Sequence, residues 1–529
     1  MAATFEYGAV VGQPESDTVG VLVLRNGGNA IDAAVTSALL ACVVAPSSTG
    51  IGGYGGVLTA CVNGEVVCID FNTVAPQTAT PTMFQVARSD GRFGSVVKDF
   101  ANEIGPLAVS VPGVLAGMDL ALKEFGTLTL SQALQPAIRA CEKGFRVSAT
   151  YANVVASREP KFRAFPDTAR LLLEGGEPPE AGDRVQNKAL GQILTRVAEK
   201  GVEEFYQGRI AERIVKHIQE TGGILSKEDF EAYEARVVEP VHNQCMEYEV
   251  YSSPLCSAGL SLVQMCALSD ESELDLHARE PGKLAHGMIE ILRAAWMDRY
   301  RHFGDPRSVD VPVETLMSDI HLGATAKEIV ERVSTGTRGQ SLLRPLYAGG
   351  TTHISTVDSR RNMAALTLTH GPSFGSLVTI PRMGLIMNSG MSRFDPGSGL
   401  KNSVGPGKSP IMNMCPAIVM RGDEPFMALG ASGGTRIPSS MFQVLARRLV
   451  LVEDLEWSIS APRVHSEGNE WVCMEEAFGE AAPDYVRSVG YALNKKGSAA
   501  ANIRAIEVTE DNELLAVYDS RMKAREKGY

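Results

Sequence analysis

The spacing of apolar and polar residues predicts helices mainly before residue 350 and strands mainly after it. Apolar residues three and four positions apart predict helices at 15–26, 29–44, 117–125, 131–143, 187–200, 210–220 and 283–302. Alternating or short apolar runs predict strands at 57–62, 65–71, 247–252, 351–357, 363–369, 376–379, 384–387, 417–420 and 425–429, and a later helix is predicted at 439–450. Asn63-Gly64 between the first two strands predicts a hairpin with a primed turn. We therefore expect stacked sheets flanked by helices.

Two segments between these elements lack a regular pattern. Residues 50–56 read GIGGYGG, which predicts either a tight helix-to-strand connection or a backbone that approaches a ligand closely. The order of elements and the lack of a following Gly-Lys-Ser/Thr exclude a phosphate loop and a dinucleotide fingerprint. Residues 303–348 are polar and interrupted by Pro and Gly, so we predict a long connection rather than part of the core.

A strand that begins at Thr351 behind Gly349-Gly350 has the arrangement that self-cleavage needs. If the Thr351 hydroxyl attacks the Gly350 carbonyl and the bond breaks, Thr351 becomes a new N-terminal residue. An α-amine has a pKa near ~8, so it can act as a base beside the hydroxyl of the same residue. Taken alone, this sequence is also typical of an ordinary loop before a strand.

Composition and charge narrow the class of protein. The chain of 529 residues is long enough for two or three domains or for one large layered unit. Its 44% apolar and 21% charged content is typical of a globular protein. The net charge of −12 argues against nucleic acid or an anionic membrane as the main partner.

Cysteine and histidine positions indicate a reduced compartment and no metal centre. The nine cysteines are scattered without a C-x-x-C pair, which predicts reduced, buried thiols. The first residues show no secretory signal, and the longest apolar stretch, 33–45, is too short to span a bilayer. We therefore expect a cytoplasmic protein. The nine histidines show no metal-binding spacing, so we expect no metal and no cofactor.

Six motifs follow one another in a specific order within residues 8–510. They are RNGGNAIDAA at 25–34, GIGGYGG at 50–56, SVPGVLAG at 110–117, EKGF at 142–145, TTH at 351–353 and GASGGTRI at 430–437. In this order they resemble the γ-glutamyltranspeptidase family of N-terminal-nucleophile hydrolases. By this resemblance the chain is identified as a member of that family.

The resemblance implies a mixed α/β (α+β) fold, a four-layer αββα sandwich made as an inactive precursor. Cleavage before Thr351 would give a large subunit, 1–350, and a small subunit, 351–529, which together form one αββα unit. The two subunits would stay associated, and a homodimer of such heterodimers is a further arrangement that the resemblance leaves open.

The resemblance also implies roles for individual residues. Thr351 would attack the amide carbonyl while its own α-amine transfers protons. Thr369, at the family's second threonine position, would hydrogen-bond the nucleophile. The amides of Gly433 and Gly434 would bind the oxyanion, although a Gly-Gly pair here is also typical of a plain strand-to-helix turn.

The positions that bind glutamate in the family differ in this chain. In the pattern Asp-Phe-Arg-Glu-x-Ala-Pro the arginine binds the substrate carboxylate, but Asn72 occupies that position. The family's Asn-Asn-x-Met-Asp-Asp-Phe reads NSGMSRF at 388–394, so Arg393 replaces the aspartate that binds the amino group. The Ser-Ser-Met stretch reads MNM at 412–414 with Asn413 at its centre, and Thr-Leu-Asn reads Thr369-His370-Gly371.

These changes predict a substrate other than a γ-glutamyl compound. A γ-glutamyl ammonium would face the Arg393 guanidinium, and its carboxylate would lose its main partner. We therefore expect an amidohydrolase that cleaves a small, carboxylate-bearing amide such as oxamate through an acyl-enzyme, with Arg393 binding the carboxylate. Alternatively, Arg393 pairs with Asp395 as a structural ion pair. His370 is a candidate substrate contact or a packing residue, and His353 is expected to support the site structurally.

Other functions remain open from the sequence. A γ-glutamyltransferase or glutathione hydrolase that binds glutamate through other residues is the first alternative. An acylase of the cephalosporin type is the second, and a non-catalytic homologue that is never processed is the third. The segment 396–410 is shorter than the family's lid, which favours hydrolysis by water over transfer to an acceptor.

Overall fold

Two seven-stranded antiparallel sheets stack face to face in the computed structural model, which describes residues 2–89, 95–341, 350–494, 497–521 and 527–528. Sheet I has the strand order Ala2–Phe5, Leu514–Tyr518, Asn502–Val508, Glu424–Ser432, Ala417–Arg421, Tyr248–Ser252 and Val241–Cys245. Sheet II has the order Lys527–Gly528, Ala9–Val11, Gly350–Val357, Met363–Gly371, Gly55–Val62, Glu65–Asp70 and Arg236–Val238. Each sheet therefore combines strands from before and after the Gly350–Thr351 bond.

Helices cover the outer face of each sheet. The outer face of sheet II packs against Pro14–Arg25, Ala30–Val44, Val114–Phe125, Leu130–Lys143, Lys188–Lys200 and Arg209–Glu220. The outer face of sheet I packs against Gly259–Glu271, Pro281–His302, Asp319–Thr335, Arg436–Leu445, Leu455–Ser460 and Ala481–Ser488. Further helices are Ala149–Phe162, Pro166–Leu172, Glu203–Tyr206, Lys227–Glu231 and Val313–Leu316. The predicted four-layer αββα sandwich is confirmed.

The strand Met363–Gly371 shows why the layers form. Met363 and Ala365 point into the space between the two sheets, whereas Ala364, Leu366 and Leu368 face the helices. Successive side chains of a strand point to opposite faces, so a strand with apolar residues on both faces is buried on both sides. The hydrophobic residues therefore form two cores, one between each sheet and its helices, and a thinner apolar layer between the two sheets.

Two local predictions are confirmed, the primed turn of the first hairpin and the N-terminal cap of the second helix. Gly55–Val62 pairs with Glu65–Asp70, and Asn63 and Gly64 have φ values of 53° and 87°, as a primed turn requires. Asn29 caps the helix Ala30–Val44 in a reciprocal capping box with Asp32.

The prediction for 303–348 was wrong in part. Asp319–Thr335 forms a helix, capped by Ser318 and ended by Gly336 in the left-handed region. Its buried residues are Leu322, Ala326, Ile329 and Val333. These follow one another at helical spacing but form a narrow stripe on an otherwise polar helix, which is why the segment resembled a connection. Residues 342–348 of that prediction lie outside the described ranges.

Some predicted boundaries shift. The strands predicted at 376–379 and 384–387 are the two-residue strands Thr379–Ile380 and Leu385–Ile386, which pair with each other. The helix predicted at 439–450 is Arg436–Leu445 followed by a wider helical turn, Ala446–Val450.

All nine cysteines are buried free thiols, as the sequence predicted. Burial raises the pKa of Cys42 and of Cys68 to about 12. Among the described residues, no helix combines the length and the apolar character needed to cross a bilayer.

Candidate active site

The predicted cleavage junction lies at the start of a strand whose pairing is irregular. Gly350 is opposite Gly371 and Thr352 is opposite Leu368, so the single residue Thr351 faces two residues, Thr369 and His370. Such a β-bulge re-aims the side chains around it and occurs often beside active sites. Successive side chains of a strand point to opposite faces, so Thr369 and His370, although adjacent, lie in different surroundings.

Thr369 contacts the carbonyl group that self-cleavage would attack. Its hydroxyl donates a hydrogen bond to the Gly350 carbonyl oxygen. The Gly371 N–H donates to the same hydroxyl at 2.9 Å, so Thr369 is held on both sides. In the uncleaved chain a donor therefore already lies on the oxygen that would become negatively charged during attack by Thr351.

His353 lies between the two sheets, on sheet II and packed against Gly430 of sheet I. Its Nδ1 is 2.8 Å from Thr367 Oγ1 and its Nε2 is 2.9 Å from Ser355 Oγ, and the ring is buried. A Cβ added to Gly430 would lie 2.2 Å from the His353 ring, so a side chain there would displace it. Burial and the nearby Arg504 hold the pKa of His353 well below its usual value, and the imidazole is neutral. This geometry fits structural support beside Thr351.

Gly433 and Gly434 follow the strand Glu424–Ser432 and precede the helix that begins at Arg436. The carbonyl of Gly433 accepts from Arg436 Nε at 3.0 Å, which fixes the turn. Gly434 has a φ of 66°, in the left-handed region that favours glycine. Within the described ranges neither N–H donates a hydrogen bond to the chain, so both are available to an oxyanion.

Arg393 and Asn413 both line one cavity, which has an empty volume of about 500 Å³. The cavity is lined by Trp296, Arg299, Tyr300, Ser392, Arg393, Phe394, Asp395, Asn402, Ile411, Asn413, Thr435 and Glu467. Thr435 directly follows the Gly433-Gly434 pair, so the cavity adjoins the predicted oxyanion turn. Thr351 is not among the lining residues.

Arg393 ends a short 3₁₀ turn, Gly390–Arg393, at this cavity. Its guanidinium lies near the buried hydroxyl of Tyr54. Burial raises the pKa of Tyr54, and the charges of Arg393 and Arg299 oppose that rise. Among the described residues Arg393 forms no salt bridge, and its Nε has no hydrogen-bond partner. The alternative ion pair with Asp395 is therefore not formed.

Asn388 joins three of the motifs found in the sequence. Its Oδ1 accepts from Ser110 Oγ at 2.8 Å and from the Gly390 N–H at 2.9 Å. Its Nδ2 donates to the carbonyl oxygens of Gly52 at 3.1 Å and of Ser110 at 3.0 Å. The glycine turn, the Ser110 loop and the turn that carries Arg393 are thus fixed by one amide side chain.

Asn72 is held by two hydrogen bonds that it donates within the chain. Its Nδ2 donates to the Pro410 carbonyl at 2.9 Å, and its N–H donates to Asp70 Oδ1 at 2.9 Å. Asp70 in turn forms a salt bridge of 2.7 Å with Arg236. Asn72 is buried and does not line the Arg393 cavity, so this geometry gives it a structural contact with the segment before Ile411.

His370 also lies away from Arg393. It lines a second, mainly apolar cavity with an empty volume of about 510 Å³, which includes Ile51, Tyr151 and Ile386. The ring is buried, and among the described residues neither nitrogen makes a hydrogen bond of good geometry. Burial lowers the pKa of His370 to about 4, with a small opposing effect of the Thr49 backbone. A Cβ on Gly50 would lie 2.4 Å from the His370 Nε2, so the ring needs a glycine there.

Replacing His370 with leucine will preserve stability at pH 7 and reduce the sensitivity to acid. In the unfolded chain His370 binds a proton near pH 6.5, whereas in the folded protein it stays neutral down to about pH 4. The free energy of unfolding is therefore fully retained above pH 6.5 and decreases as the pH falls toward 4. The wild type should lose about 1.4 kcal/mol per pH unit more than His370→Leu within this window. Urea unfolding at pH 7 and pH 5 measures the difference.

The partly exposed His302→Leu serves as the control for this measurement. Equal acid sensitivity of His370→Leu and wild type would contradict the buried, neutral state of His370. A large fall in kcat/KM at unchanged stability would instead support the predicted contact with substrate.

Sequence reasoning missed Arg299 as a residue of the site. It lies on the helix Pro281–His302, on the same face as Leu292 and Trp296, and it is buried. A charged residue on an apolar stripe was the available signal, because a buried charge needs specific partners. Among the described residues no group of three or more potential metal ligands is found.

The layered fold and the site together define a class of protein. Thr351 is the second residue of a central strand of an αββα sandwich, and the Thr369 hydroxyl donates to the carbonyl of the residue before it. Two glycines directly follow a strand of the facing sheet. This arrangement is that of an N-terminal-nucleophile hydrolase.

The comparisons place the chain within that class. Residues 16–529 match the family described as gamma-glutamyltranspeptidase, and the chain belongs to this family. It is 30% identical to a glutathione hydrolase proenzyme of Escherichia coli K12, over 95% of this chain and 88% of the relative. It is also 30% identical to the acylase ACY 1 proenzyme of Pseudomonas sp. strain SE83, over 96% of this chain and 90% of the relative.

Solved structures agree with the fold. A cephalosporin acylase from Bacillus halodurans superposes with a TM-score of 0.89 at 23% identity, over 100% of this chain and 97% of that one. A gamma-glutamyltranspeptidase from Helicobacter pylori superposes with a TM-score of 0.57 at 32% identity, over 63% of this chain and 91% of that one. The chain is thus an amide hydrolase of the γ-glutamyltranspeptidase family.

Proposed function

We propose that this chain is a self-processed threonine amidohydrolase that cleaves a small amide bearing a carboxylate, of the oxamate type. The observation that carries the proposal is Arg393, a cation that lines the cavity without a carboxylate partner among the described residues. The family resemblance assigns an anion to this position, so the change inverts the charge that the substrate meets.

Maturation would begin with attack of the Thr351 hydroxyl on the Gly350 carbonyl carbon. The bond from Thr369 to the carbonyl oxygen would stabilise the negative charge that develops there. The Gly350–Thr351 C–N bond then breaks, an ester to the Thr351 oxygen remains, and water hydrolyses it. The products are a carboxylate at Gly350 and a free α-amine at Thr351.

The mature enzyme would use Thr351 again. Its hydroxyl loses a proton to its own α-amine and attacks the substrate amide carbon, while Gly433 and Gly434 donate to the oxyanion. The amine then protonates the leaving nitrogen, and the C–N bond of the substrate breaks. Water attacks the acyl ester, releases the acid and restores the Thr351 hydroxyl.

A short substrate with a carboxylate accounts for the polar groups around Arg393. A guanidinium binds a carboxylate with two parallel hydrogen bonds, whereas it repels an ammonium group. Asn72, which replaces the family's carboxylate-binding arginine, is engaged with Pro410 and supplies no positive charge. A γ-glutamyl group would therefore meet one repulsive contact and would lack one attractive contact.

An acylase reaction on a bulkier acyl compound is the second candidate function. The observation that favours it is the sequence identity to the ACY 1 acylase proenzyme. It equals the sequence identity to the glutathione hydrolase proenzyme. Trp296, Tyr300 and Phe394 in the cavity wall would provide apolar contacts for such a group.

We further propose that residues 1–350 and 351–529 remain associated after cleavage as two subunits, with the cytoplasm as their location. Both sheets contain strands from both parts, paired side by side, which supports tight association. The molecular mass of the processed protein in solution will show whether two such heterodimers associate into a homodimer of heterodimers.

A substrate panel tests the proposed function. Mature protein, split into two fragments on a denaturing gel, is assayed with oxamate, malonamate and succinamate, with a γ-glutamyl anilide and with a β-lactam side-chain amide. We expect the highest kcat/KM for one of the monoamides of a dicarboxylic acid. Faster turnover of the γ-glutamyl anilide would refute the proposed specificity, and faster cleavage of the β-lactam amide would support the acylase.

A further inference from the structure

We propose that Arg299 is a positioning residue that turns the Asn413 side chain so that its N–H groups face the cavity beside Arg393. The two side chains would then form a wall of hydrogen-bond donors that selects a carboxylate and rejects a neutral amide of the same shape. This inference rests on the proposed function and deepens it, because it identifies the residues that discriminate the substrate's charge.

Arg299 is held firmly in place. It is buried on the helix Pro281–His302, and its guanidinium carbon lies 5.5 Å from the centre of the Trp296 ring and 5.7 Å from that of Phe303. Its Nη2 donates to the Met412 carbonyl at 2.6 Å and to Asn413 Oδ1 at 3.2 Å. Both acceptors lie where the family resemblance places two serines.

The chemistry of a guanidinium determines which way the Asn413 amide points. Arginine has five N–H donors and no acceptor, so only the oxygen of the Asn413 amide can face it. The Nδ2 group must then point to the other side. Within the described ranges this Nδ2 makes no hydrogen bond, and Asn413 lines the cavity. Its two N–H bonds are thus available to a ligand.

Arg393 supplies the second part of the donor wall. The carbonyl of Arg393 accepts a hydrogen bond from Asn402 Nδ2 at 2.8 Å, which holds this turn, and the guanidinium lies near the buried Tyr54 hydroxyl. Arg393 and Asn413 therefore present donors from two separate chain segments to one cavity. A carboxylate has two acceptor oxygens and a negative charge, which fits such a wall.

Two carboxylates also line the cavity, and both have partners within the protein. Glu467 accepts from the Tyr300 hydroxyl at 3.0 Å and lies 3.3 Å from His465 Nε2. Asp395 has an interaction of its own as well. Neither carboxylate forms a salt bridge with Arg393 among the described residues, so the Arg393 charge is left for the ligand.

The test compares charged and neutral amides in processed protein. Asn413→Asp keeps an oxygen for Arg299 but replaces the two N–H donors by a negative charge. We expect KM for malonamate and succinamate to rise about 10- to 100-fold, the loss typical of hydrogen bonds to charged groups. KM for the neutral malonamide and succinamide should change by less than about twofold, and kcat should stay nearly constant. Arg299→Lys retains the charge but not the fixed geometry, and should shift KM in the same direction.

Correct folding of each variant is checked by its cleavage into two fragments. Asn153→Asp, an equal change of charge at an exposed helix position outside the cavity, is the matched control. An equal loss for charged and neutral amides in Asn413→Asp, or no loss for either, would overturn the inference while leaving the proposed hydrolase intact.

Binding separates this inference from failure of the proposed function. If wild-type protein hydrolyses none of the amides, titration calorimetry with malonate provides the readout. Binding to wild type that weakens at least tenfold in Asn413→Asp supports the donor wall without the reaction. No malonate binding to a wild-type protein that lacks turnover would overturn the inference as well.

Discussion

Replacing Thr351 with alanine will leave the protein as one uncleaved chain with no amidase activity. The variant has no hydroxyl to attack the Gly350 carbonyl, so neither the cut nor the N-terminal amine of the mature nucleophile can form. A denaturing gel should show one band of full length in place of fragments 1–350 and 351–529. Activity on any amide should fall to the background of the assay.

Two further variants should show intermediate rates of cleavage. Thr351→Ser retains a hydroxyl and should be cleaved, although more slowly. Thr369→Ala removes the donor to the Gly350 carbonyl, and loss of one such donor costs about 10²–10³ in rate, so cleavage should slow strongly without being abolished. Normal cleavage of Thr351→Ala would show that the junction lies elsewhere and would invalidate the assignment of the nucleophile.

Reversing the charge at position 393 should have the second-largest effect. Arg393→Asp would remove a bidentate partner of the substrate carboxylate and place an anion beside it, at a cost of about 3–4 kcal/mol. We expect kcat/KM for the preferred monoamide to fall about 10²- to 10³-fold. Steady-state kinetics on fully processed protein measures it.

The controls separate charge from folding. Arg393→Lys keeps the positive charge without the fork of donors and should lose less activity than Arg393→Asp. Arg279→Asp makes the same reversal at an exposed position and should behave as wild type. Unchanged kcat/KM in Arg393→Asp would remove this residue from the substrate site. A gain in γ-glutamyl hydrolysis should stay small, because Asn72 does not provide the arginine that the family uses for the carboxylate.

Much of the layered fold was predictable because its strands carry their own pattern. The strand Met363–Gly371 has apolar residues on both faces, and the turn at Asn63-Gly64 favours a tight hairpin. The helix Asp319–Thr335 was missed because four buried residues on a polar helix give a weak signal, although Ser318 and Gly336 marked its ends. Boundaries shifted where short strands such as Thr379–Ile380 depend on their pairing partner.

The candidate site was predictable where a residue's role depends on its immediate neighbours. Thr351 behind two glycines and the Gly433-Gly434 turn have such local signals. The contact between Arg299 and Asn413 does not, because 114 residues separate them and packing of the helix Pro281–His302 brings them together. The bulge opposite Thr351 likewise depends on strand register, which one strand's sequence does not specify.

The presence of strands from both halves in each sheet affects the stability of the mature enzyme. Each sheet contains strands from both sides of the Gly350–Thr351 bond, so the fold must be completed while the chain is still continuous. After cleavage, a molecule that unfolds must find its other half by diffusion, and the high effective concentration that the peptide bond provided is gone. The working lifetime of the enzyme then depends on how slowly it opens, and it becomes a kinetic property rather than an equilibrium one.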